Sequence, residues 1–292
     1  MADSSRLSPP LKYGINESVT KPHVLKMFVQ SAIDKETEEF LETYCSDTES
    51  IVRSALATMA RKFMSQTDTN AFIGRGQMFV FSAAQLESLL ANAFETDRIA
   101  TISSGMLLEI GAGNGDVTEK YQKFVRHITA TEVSKYMVKI LEKKACIDRV
   151  VETGSLNSFD VNEKFQIISC LNVLDRCDKP SQLLKDIHAR LDPQNGILVI
   201  AVVLPWCPFV ENGTRKDCPT EDLDMDGGRC RAKNTFEEAV NVIVDNVFLK
   251  HGFVVKSWTR VPYICAGDTY QKYYVLSDAL FVLERNDSGA SC

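Results

Sequence analysis

A glycine-rich turn between an apolar strand and a helical segment is the feature that most constrains the fold of this sequence. Residues 107–116 have the sequence Leu-Leu-Glu-Ile-Gly-Ala-Gly-Asn-Gly-Asp. Small residues at such a turn let the backbone approach a nucleotide, while the first N–H groups of the next helix remain free to bind it. The turn predicts an α/β fold with a nucleotide-type cofactor, and we expect the cofactor to contact Glu109, Gly111, Ala112 and Gly113.

Two classes of cofactor bind turns of this kind, and two acidic residues separate them. A dinucleotide-binding turn has glycine or alanine at the sixth position counted from Gly111, where this chain has Asp116. Glu132 follows Gly111 by 21 residues, at the end of the next predicted strand, where a carboxylate can accept both ribose hydroxyls of an adenosyl group. The combination favours S-adenosyl-L-methionine, with S-adenosyl-L-homocysteine as product, over NAD.

Strand and helix patterns alternate after the turn. The predicted strands are 106–110, 128–131, 165–170 and 196–204, and the predicted helices are 116–124, 134–144 and 180–191. Such alternation specifies a parallel sheet covered on both faces. A helix at 236–250 and strands at 253–261 and 273–283 predict a final antiparallel hairpin. We therefore expect an α/β, Rossmann-like class I methyltransferase sheet that is mostly parallel.

The remaining segments differ from this core in composition. Residues 1–22 and 286–292 are predicted to be disordered, and 101–285 to form the methyltransferase core. Apolar residues recur at helical spacing at 40, 41 and 44 and again at 52, 55, 56, 59 and 63, so 23–100 are predicted to be a helical extension. Within it, Ser82 and Gln85 match a capping box. The polar stretch 206–234 is predicted to be a loop insertion over the site.

Charge and cysteine content disfavour several classes of function. The chain has 39 acidic and 33 basic residues, a net charge of -6, which argues against a nucleic-acid partner because phosphate binding needs a positive field. The apolar runs are far shorter than the roughly 20 residues of a membrane span. We expect a cytoplasmic monomer. Nine scattered cysteines without a CxxC pair favour a reducing compartment, and the four histidines suggest no metal site.

Polar residues that follow two further strands are candidates for the site. Asn157 lies near the end of a further strand expected between the predicted helix 134–144 and the strand 165–170, where its amide could meet the adenine edge, and a plain loop asparagine is the alternative. Residues 169–178 end the next strand at the sheet edge where such folds bind ligands. Leu171, Asn172 and Asp175 are site candidates among them, Leu171 and Asn172 beside the cofactor, and for Asp175 a helix-capping carboxylate is the alternative that remains open.

Longer motifs carry a resemblance to a known family. They are Gly-Arg-Gly-x-Met-Phe-Val-Phe at 74–81, Ser-Cys-Leu-Asn-x-Leu-Asp-Arg-Cys-Asp at 169–178, Val-Leu-Pro at 203–205, Pro-Tyr-x-Cys at 262–265, Gly-Asp at 267–268 and Tyr-Tyr-Val-Leu at 273–276. From about residue 24 to residue 283 the chain resembles the DREV family, the protein-histidine N-pros-methyltransferases, also called the methyltransferase-like protein 9 family.

The resemblance implies methylation of the pros nitrogen of histidine in short His-x-His sequences of proteins or peptides. A neutral imidazole already carries a nucleophilic lone pair, so orientation matters more than a strong base. Asp175 accepting from the tele N–H would fix the tautomer and stabilise the imidazolium. Asn172 and Tyr274 complete the predicted catalytic set, and the predicted substrate-binding set is Arg75, Asp175, Tyr263 and Tyr274. The alternative for Tyr263 and Tyr274 is a structural role, as aromatic side chains that pack in the core of the terminal hairpin.

Two other functions remain open at this point. The same cofactor half would serve a methyltransferase of a small imidazole or amine metabolite, and such a fold also persists in cofactor-binding adaptors without chemistry. Intact Glu109, Glu132 and Asp175 count against the adaptor. The resemblance adds the endoplasmic reticulum and mitochondria as alternative locations.

Overall fold

A sheet of eight strands organises the protein in the computed structural model, which describes residues 9–45, 77–212, 215–225, 234–266 and 271–286. Its strands are β1 (Met78–Phe79), β2 (Met106–Ile110), β3 (His127–Glu132), β4 (Arg149–Glu152), β5 (Ile167–Leu171), β6 (Ile197–Val203), β9 (Phe253–Ala266) and β10 (Tyr273–Arg285). Two further strands, β7 (Val210–Asn212) and β8 (Arg215–Asp217), form a separate antiparallel ribbon.

The sheet is parallel in one part and antiparallel in the other. The strand order is β1-β9-β10-β6-β5-β2-β3-β4, with parallel pairing from β6 to β4 and antiparallel pairing from β6 to β1. β6 consists of Ile-Leu-Val-Ile-Ala-Val-Val, and its first six residues are buried, as expected for a strand covered on both faces. The predicted fold class, a mostly parallel Rossmann-like sheet with a terminal antiparallel hairpin, is confirmed.

Helices connect the strands and cover the sheet. They are α1 (Pro22–Leu25), α2 (Lys35–Cys45), α3 (Ala83–Ala93), α4 (Thr96–Ile102), α5 (Lys135–Leu141), α6 (Pro180–Arg190) and α7 (Phe236–Val242). Two short 3-10 turns span Thr118–Lys123 and Leu156–Ser158, and a π-helical segment, Ile243–Phe248, continues α7. Phe281 lies in one buried apolar cluster and its neighbour Leu280 in another, so each face of the sheet carries a core layer.

The segment before β2 packs onto the same sheet. Ser82 Oγ accepts from the Gln85 N–H at 3.0 Å, and Gln85 Oε1 accepts from the Ser82 N–H at 2.9 Å, which confirms the predicted capping box at the start of α3. Leu86 and Leu89 of α3 enter the core layer that contains Leu280. The helical positions predicted between 52 and 63 lie outside the described residues.

Three elements differ from their predictions. Residues 116–124, predicted as an α-helix, contain only a 3-10 turn. Asn114 Nδ2 donates to Asp116 Oδ2, and the Asp116 backbone N–H donates to Asn114 Oδ1, which holds the start of the segment in a turn. Residues 78–79, which fall in the predicted helical extension, form β1 because they pair with β9. The predicted helix at 236–250 becomes π-helical after Val242.

The predicted loop at 206–234 contains regular structure and buried anchors. β7 and β8 form a ribbon within it, with Val210 opposite Asp217. Trp206 and Met225 are 2% and 1% exposed, so both sides of the ribbon are tied to the apolar core. Residues 213–214 and 226–233 lie outside the described part of the chain.

Residues 9–30, which we call the N-terminal strap, follow a defined path along α7 and β9. The Asn16 N–H donates to Glu237 Oε1 at 2.9 Å, and the Lys21 N–H donates to Asn241 Oδ1 at 3.0 Å. The indole N–H of Trp258 donates to the Val24 carbonyl at 2.8 Å. The prediction of disorder is therefore wrong for residues 9–22, because buried polar partners on α7 and β9 hold them; residues 1–8 and 287–292 lie outside the described residues.

The cysteines differ in oxidation state. Cys218 is disulfide-bonded, whereas Cys146, Cys170, Cys177, Cys207 and Cys265 are free. Disulfides persist mainly in oxidising compartments, whereas the five free thiols fit the reducing compartment expected from the sequence, which stays a prediction. Across the described stretches of chain, no helix has both the length and the apolar character needed to cross a membrane.

Candidate active site

The glycine turn joins β2 to the first 3-10 turn at the carboxyl edge of the parallel strands. Gly111, Gly113 and Gly115 have φ angles of 67°, 58° and 80°, a region that glycine adopts without strain. A Cβ on Gly111 would lie 2.7 Å from Val173 Cγ2, and one on Gly115 would lie 2.8 Å from Leu141 Cδ2. All three positions therefore need glycine for conformation, and two of them also need it for space.

Glu132, the last residue of β3, holds this turn through its carboxylate. Its Oε2 accepts from the Gly113 N–H at 3.0 Å, and its Oε1 accepts from the Val133 and Ser134 N–H groups at 2.8 and 3.0 Å. The side chain is buried, with 5% exposure. The two carboxylate oxygens of Glu132 offer about four acceptor positions, and the position left on Oε2 is free. A ribose hydroxyl would donate to that position or displace the Gly113 N–H.

Glu109 lies beneath the glycine turn on β2. It is 2% exposed, and its Oε2 has no hydrogen-bond partner among the described residues. Burial raises the pKa of Glu109 to about 7, and the nearby Thr118 hydroxyl opposes this rise. A buried acceptor without a donor at this point suits a ligand that brings its own N–H group.

Asp175 follows the end of β5 and is 1% exposed. Arg176 Nη1 donates to the Asp175 backbone carbonyl at 2.9 Å and forms an ion pair with Oδ2 at 2.5 Å, and Oδ1 has no hydrogen-bond partner among the described residues. Burial raises the pKa of Asp175 to about 6, and the Arg176 charge lowers it. Helix α6 begins after Lys179 without a side-chain cap, so the capping alternative for Asp175 is wrong.

Asn172 lies between Asp175 and the terminal hairpin. Its backbone is left-handed, with φ of 56°, a conformation that asparagine tolerates better than most residues. Its Nδ2 donates to Asp278 Oδ2 at 2.8 Å, and its own Oδ1 has no partner among the described residues. Asp278 is fully buried on β10, and burial raises its pKa well above the usual range, with Asp175 adding to the rise. The geometry thus brings Asn172, Asp175 and Asp278 together.

The two predicted tyrosines occupy different depths of the same face. Leu276 pairs with Tyr263, and alternate residues of β10 share a face, so Tyr263, Tyr274 and Asp278 face the same side of the sheet. The partly buried Tyr263 donates its hydroxyl to Met78 Sδ at 2.6 Å, and burial raises its pKa well above the usual range. Tyr274 is 42% exposed and lies at the rim.

Met78 is a residue of the site that the sequence motifs did not single out. It belongs to β1, and its Cε would lie 3.5 Å from a Cβ built on Gly113. Its sulfur accepts from Tyr263, so one side chain contacts both the glycine turn and the tyrosine wall. Asp278 was also missed, although an acidic residue inside the apolar strand Tyr273–Arg285 is a signal that sequence reading could have used.

The other predicted residues are placed as follows. Ala112 donates its N–H to the Thr131 carbonyl at 3.0 Å, and Leu171 is the last residue of β5. Asn157 is exposed in the second 3-10 turn, five residues beyond the end of β4, so it stays a prediction for the adenine edge. Arg75 lies outside the described residues. No cluster of three or more His, Cys, Asp or Glu side chains within the described ranges could hold a metal ion.

A family model matches this chain. The model of the family described as DREV methyltransferase matches residues 12–285, which is nearly the whole chain. Two curated relatives are the mitochondrial ubiquinone biosynthesis O-methyltransferases of Saccharomyces cerevisiae, 28% identical over 104 residues, and Schizosaccharomyces pombe, 25% identical over 107 residues. These matches cover 33% and 35% of this chain and only 33% and 39% of the relatives' own length.

Solved structures provide more distant likenesses. The 1,6-didemethyltoxoflavin-N1-methyltransferase of Burkholderia thailandensis is 15% identical with a TM-score of 0.46, covering 82% of this chain and 93% of its own. The N-methyltransferase NodS of Bradyrhizobium japonicum is 18% identical with a TM-score of 0.38, covering 65% of this chain and 85% of its own. Both were crystallised with S-adenosylhomocysteine.

Proposed function

This chain belongs to the DREV methyltransferase family, and we propose that it transfers the methyl group of S-adenosylmethionine to the pros nitrogen of histidine in His-x-His sequences of proteins. Family membership makes it a methyltransferase, and S-adenosylmethionine is its cofactor. The observation that supports the histidine substrate is the buried Asp175 carboxylate, which is ion-paired with Arg176 through Oδ2 and keeps an Oδ1 with no hydrogen-bond partner among the described residues.

The residues at the glycine turn fit the cofactor. Three glycines leave the backbone bare, Glu132 stands where the adenosyl ribose would bind, and Glu109 offers an unpartnered buried oxygen to the ammonium group of the methionine part. When bound, the cofactor supplies an electrophilic methyl group on a sulfonium. Met78 and Tyr263 would form an aromatic and thioether wall beside it and keep water away.

Asp175 selects the tautomer of the substrate imidazole in this proposal. With a pKa of about 6, it is mostly ionised at pH 7 and can accept from the tele N–H, which leaves the pros lone pair free. The pros nitrogen then forms the new N–C bond, and the electron pair of the broken C–S bond stays on sulfur. The carboxylate offsets the positive charge on the ring and takes the tele proton, which passes on to water.

The rim of the site suits a peptide better than a free metabolite. Tyr274 and Leu276 are 42% and 44% exposed on the face that carries Tyr263, which leaves apolar surface beside the buried carboxylates. Residues that flank the histidine would cover this surface. A free imidazole would bind at Asp175 without contacting this apolar surface. If the substrate is a small metabolite, kcat/KM should therefore not rise with peptide length.

Transfer from labelled S-adenosylmethionine tests the proposal. Purified protein is incubated with a His-Ala-His peptide, with matched peptides in which one or both histidines are replaced by alanine, and with free histidine and histamine. We expect label in the His-Ala-His peptide, less in the single replacements and none in the double replacement. Labelling of the free imidazoles at an equal or higher kcat/KM would support the metabolite methyltransferase instead.

Compartment and oligomeric state enter this proposal as predictions. The sequence favours a cytoplasmic monomer, the names of the two yeast relatives include mitochondrial, and the Cys218 disulfide favours an oxidising environment. Cell fractionation against marker proteins separates these locations. Light scattering on the purified protein measures its mass against the 32.6 kDa of one chain.

A further inference from the structure

Asp278 is a buried carboxyl group that the methyl transfer described above does not use. It lies on β10, opposite Val203 of β6 and Val261 of β9, and has no exposed surface. Its Oδ2 accepts from Asn172 Nδ2 at 2.8 Å, and its Oδ1 has no partner among the described residues. A polar group buried in this way destabilises a fold, so its position between apolar neighbours needs a reason.

The contact with Asp278 sets which end of the Asn172 amide faces the site. An asparagine side chain donates through Nδ2 and accepts through Oδ1, and the two ends differ little in size. The Asn172 backbone is fixed, since its N–H donates to the Ala201 carbonyl at 2.9 Å and its φ is 56°. With Nδ2 bound to Asp278, Oδ1 is turned away from Asp278, buried and without a donor.

We propose that Asp278 is a positioning residue that holds the Asn172 amide with its oxygen toward the ligand, so that Asn172 and Asp175 together select a ligand bearing two N–H donors. The inference rests on the proposed function: an imidazole supplies the N–H for Asp175. The second N–H comes either from the peptide backbone of the substrate or from the ammonium group of the cofactor. Both present the same chemistry to the Asn172 oxygen.

The environment of Asp278 makes a specific prediction about its protonation. Burial and the neighbouring Asp175 raise its pKa well above the usual range, while Asn172 and Arg176 lower it. A neutral carboxylic acid accepts from Asn172 Nδ2 through its carbonyl oxygen and adds no second negative charge beside Asp175. D278N would keep a neutral side chain whose oxygen accepts from Asn172 Nδ2. D278L has a similar shape but removes that acceptor.

The test compares D278N and D278L with T259V, which removes another buried polar atom that has no partner, one strand away on β9. Melting temperature, peptide kcat and KM, and cofactor affinity by calorimetry are measured for each. We expect D278N within about threefold of wild type, D278L lowered at least about 10-fold in kcat/KM, and T259V unchanged. A raised peptide KM in D278L assigns the second N–H to the substrate, and weakened cofactor binding assigns it to the cofactor.

Exchanging the amide and the carboxyl group between positions 172 and 278 provides a second test if D278L does not fold. N172D alone removes the amide donor and sets two carboxyl groups that share one proton against each other beside Asp175, whereas N172D combined with D278N restores the amide-to-carboxylate hydrogen bond and again leaves an acceptor facing the ligand. The double variant should recover at least about 10-fold over N172D. The inference is overturned if D278L folds and matches wild type, if folded D278L and D278N are equally impaired, or if the double variant shows no recovery. Wild-type protein that leaves the histidine peptide unmethylated would instead contradict the proposed function.

Discussion

Glu132 and Asp175 are both buried carboxylates beyond the carboxyl ends of parallel strands, yet their surroundings are opposite. Glu132 accepts from three backbone N–H groups, so the cofactor half of the site is held together by the protein's own donors. Asp175 forms an ion pair with Arg176, but its Oδ1 and the Asn172 Oδ1 beside it have no hydrogen-bond partner among the described residues. The comparison teaches that the protein's own donors occupy most of the Glu132 carboxylate, whereas Asp175 and Asn172, like Glu109 under the glycine turn, keep buried oxygens that a ligand must fill.

The largest expected effect comes from blocking the cofactor half. G113R places a long, charged side chain on a residue with φ of 58°, a backbone conformation that side chains rarely adopt, at the turn where the cofactor would approach the backbone. Cofactor binding measured by calorimetry should be abolished. G14R is the control, because Gly14 is exposed and has no atom within 4 Å of a Cβ built on it. A G113R protein that binds the cofactor normally would refute the assignment of the turn.

Breaking the substrate half at Asp175 should be nearly as severe for the rate but harmless for the cofactor. D175N keeps the shape and removes the charge that offsets the imidazolium, so kcat should fall at least about 100-fold. D178N is the matched control, since Asp178 is only partly buried and its carboxylate accepts from the Thr220 hydroxyl. Equal cofactor affinity with a large loss of kcat supports the division into two halves. Near-normal pros methylation by D175N would move the catalytic role to Asn172 or Tyr274.

A smaller effect, on cofactor affinity, should follow from truncating Glu132. E132A removes charge-assisted hydrogen bonds to the ribose that contribute about 1.5–3 kcal/mol, so cofactor affinity should fall roughly 10-fold or more. Part of that loss comes from the glycine turn, because Gly113 would lose its partner as well. E142A is a control on the exposed end of α5. Affinity within about twofold of wild type in a folded E132A would remove the ribose assignment.

The smallest expected effect is a pH dependence. Since burial raises the pKa of Asp175 to about 6, the carboxylate is an acceptor above that pH and is lost as the pH falls through it. The substrate imidazole protonates in the same range, near 6.5, and also loses its lone pair. The logarithm of kcat/KM should therefore fall with a slope of about two below both values in wild type and about one in D175N. Equal slopes in the two proteins would show that Asp175 does not titrate in the reaction.

The sheet was predictable because hydrophobic periodicity and the glycine turn are local signals. β6 is apolar along its whole length, and the capping box at Ser82 needs only four consecutive residues. The N-terminal strap was not predictable, since residues 9–22 are polar and their partners, such as Glu237 and Asn241, lie more than 200 positions away. Tertiary hydrogen bonds of this range leave no periodic trace in a sequence.

The substrate half shows where sequence reasoning reached the site and where it stopped. Asn172 and Asp175 stood out because polar residues follow an apolar strand at the ligand-binding edge. Asp278 did not, because a single acid in a strand is usually taken to face solvent, and only the pairing of β10 with β6 buries it. Met78 was hidden in a motif whose partner, Tyr263, lies 185 residues further along the chain.

The position of the methyl group on the product ring tests the central claim most directly. Wild-type protein, saturating S-adenosylmethionine and a His-Ala-His peptide are incubated, and acid hydrolysis followed by mass spectrometry against both standards separates pros- from tele-methylhistidine. If the Asp175 carboxylate accepts from the tele N–H, the product is pros-methylhistidine with little of the tele isomer. A product that is mainly tele-methylhistidine, or an even mixture of the two, would contradict tautomer selection by Asp175.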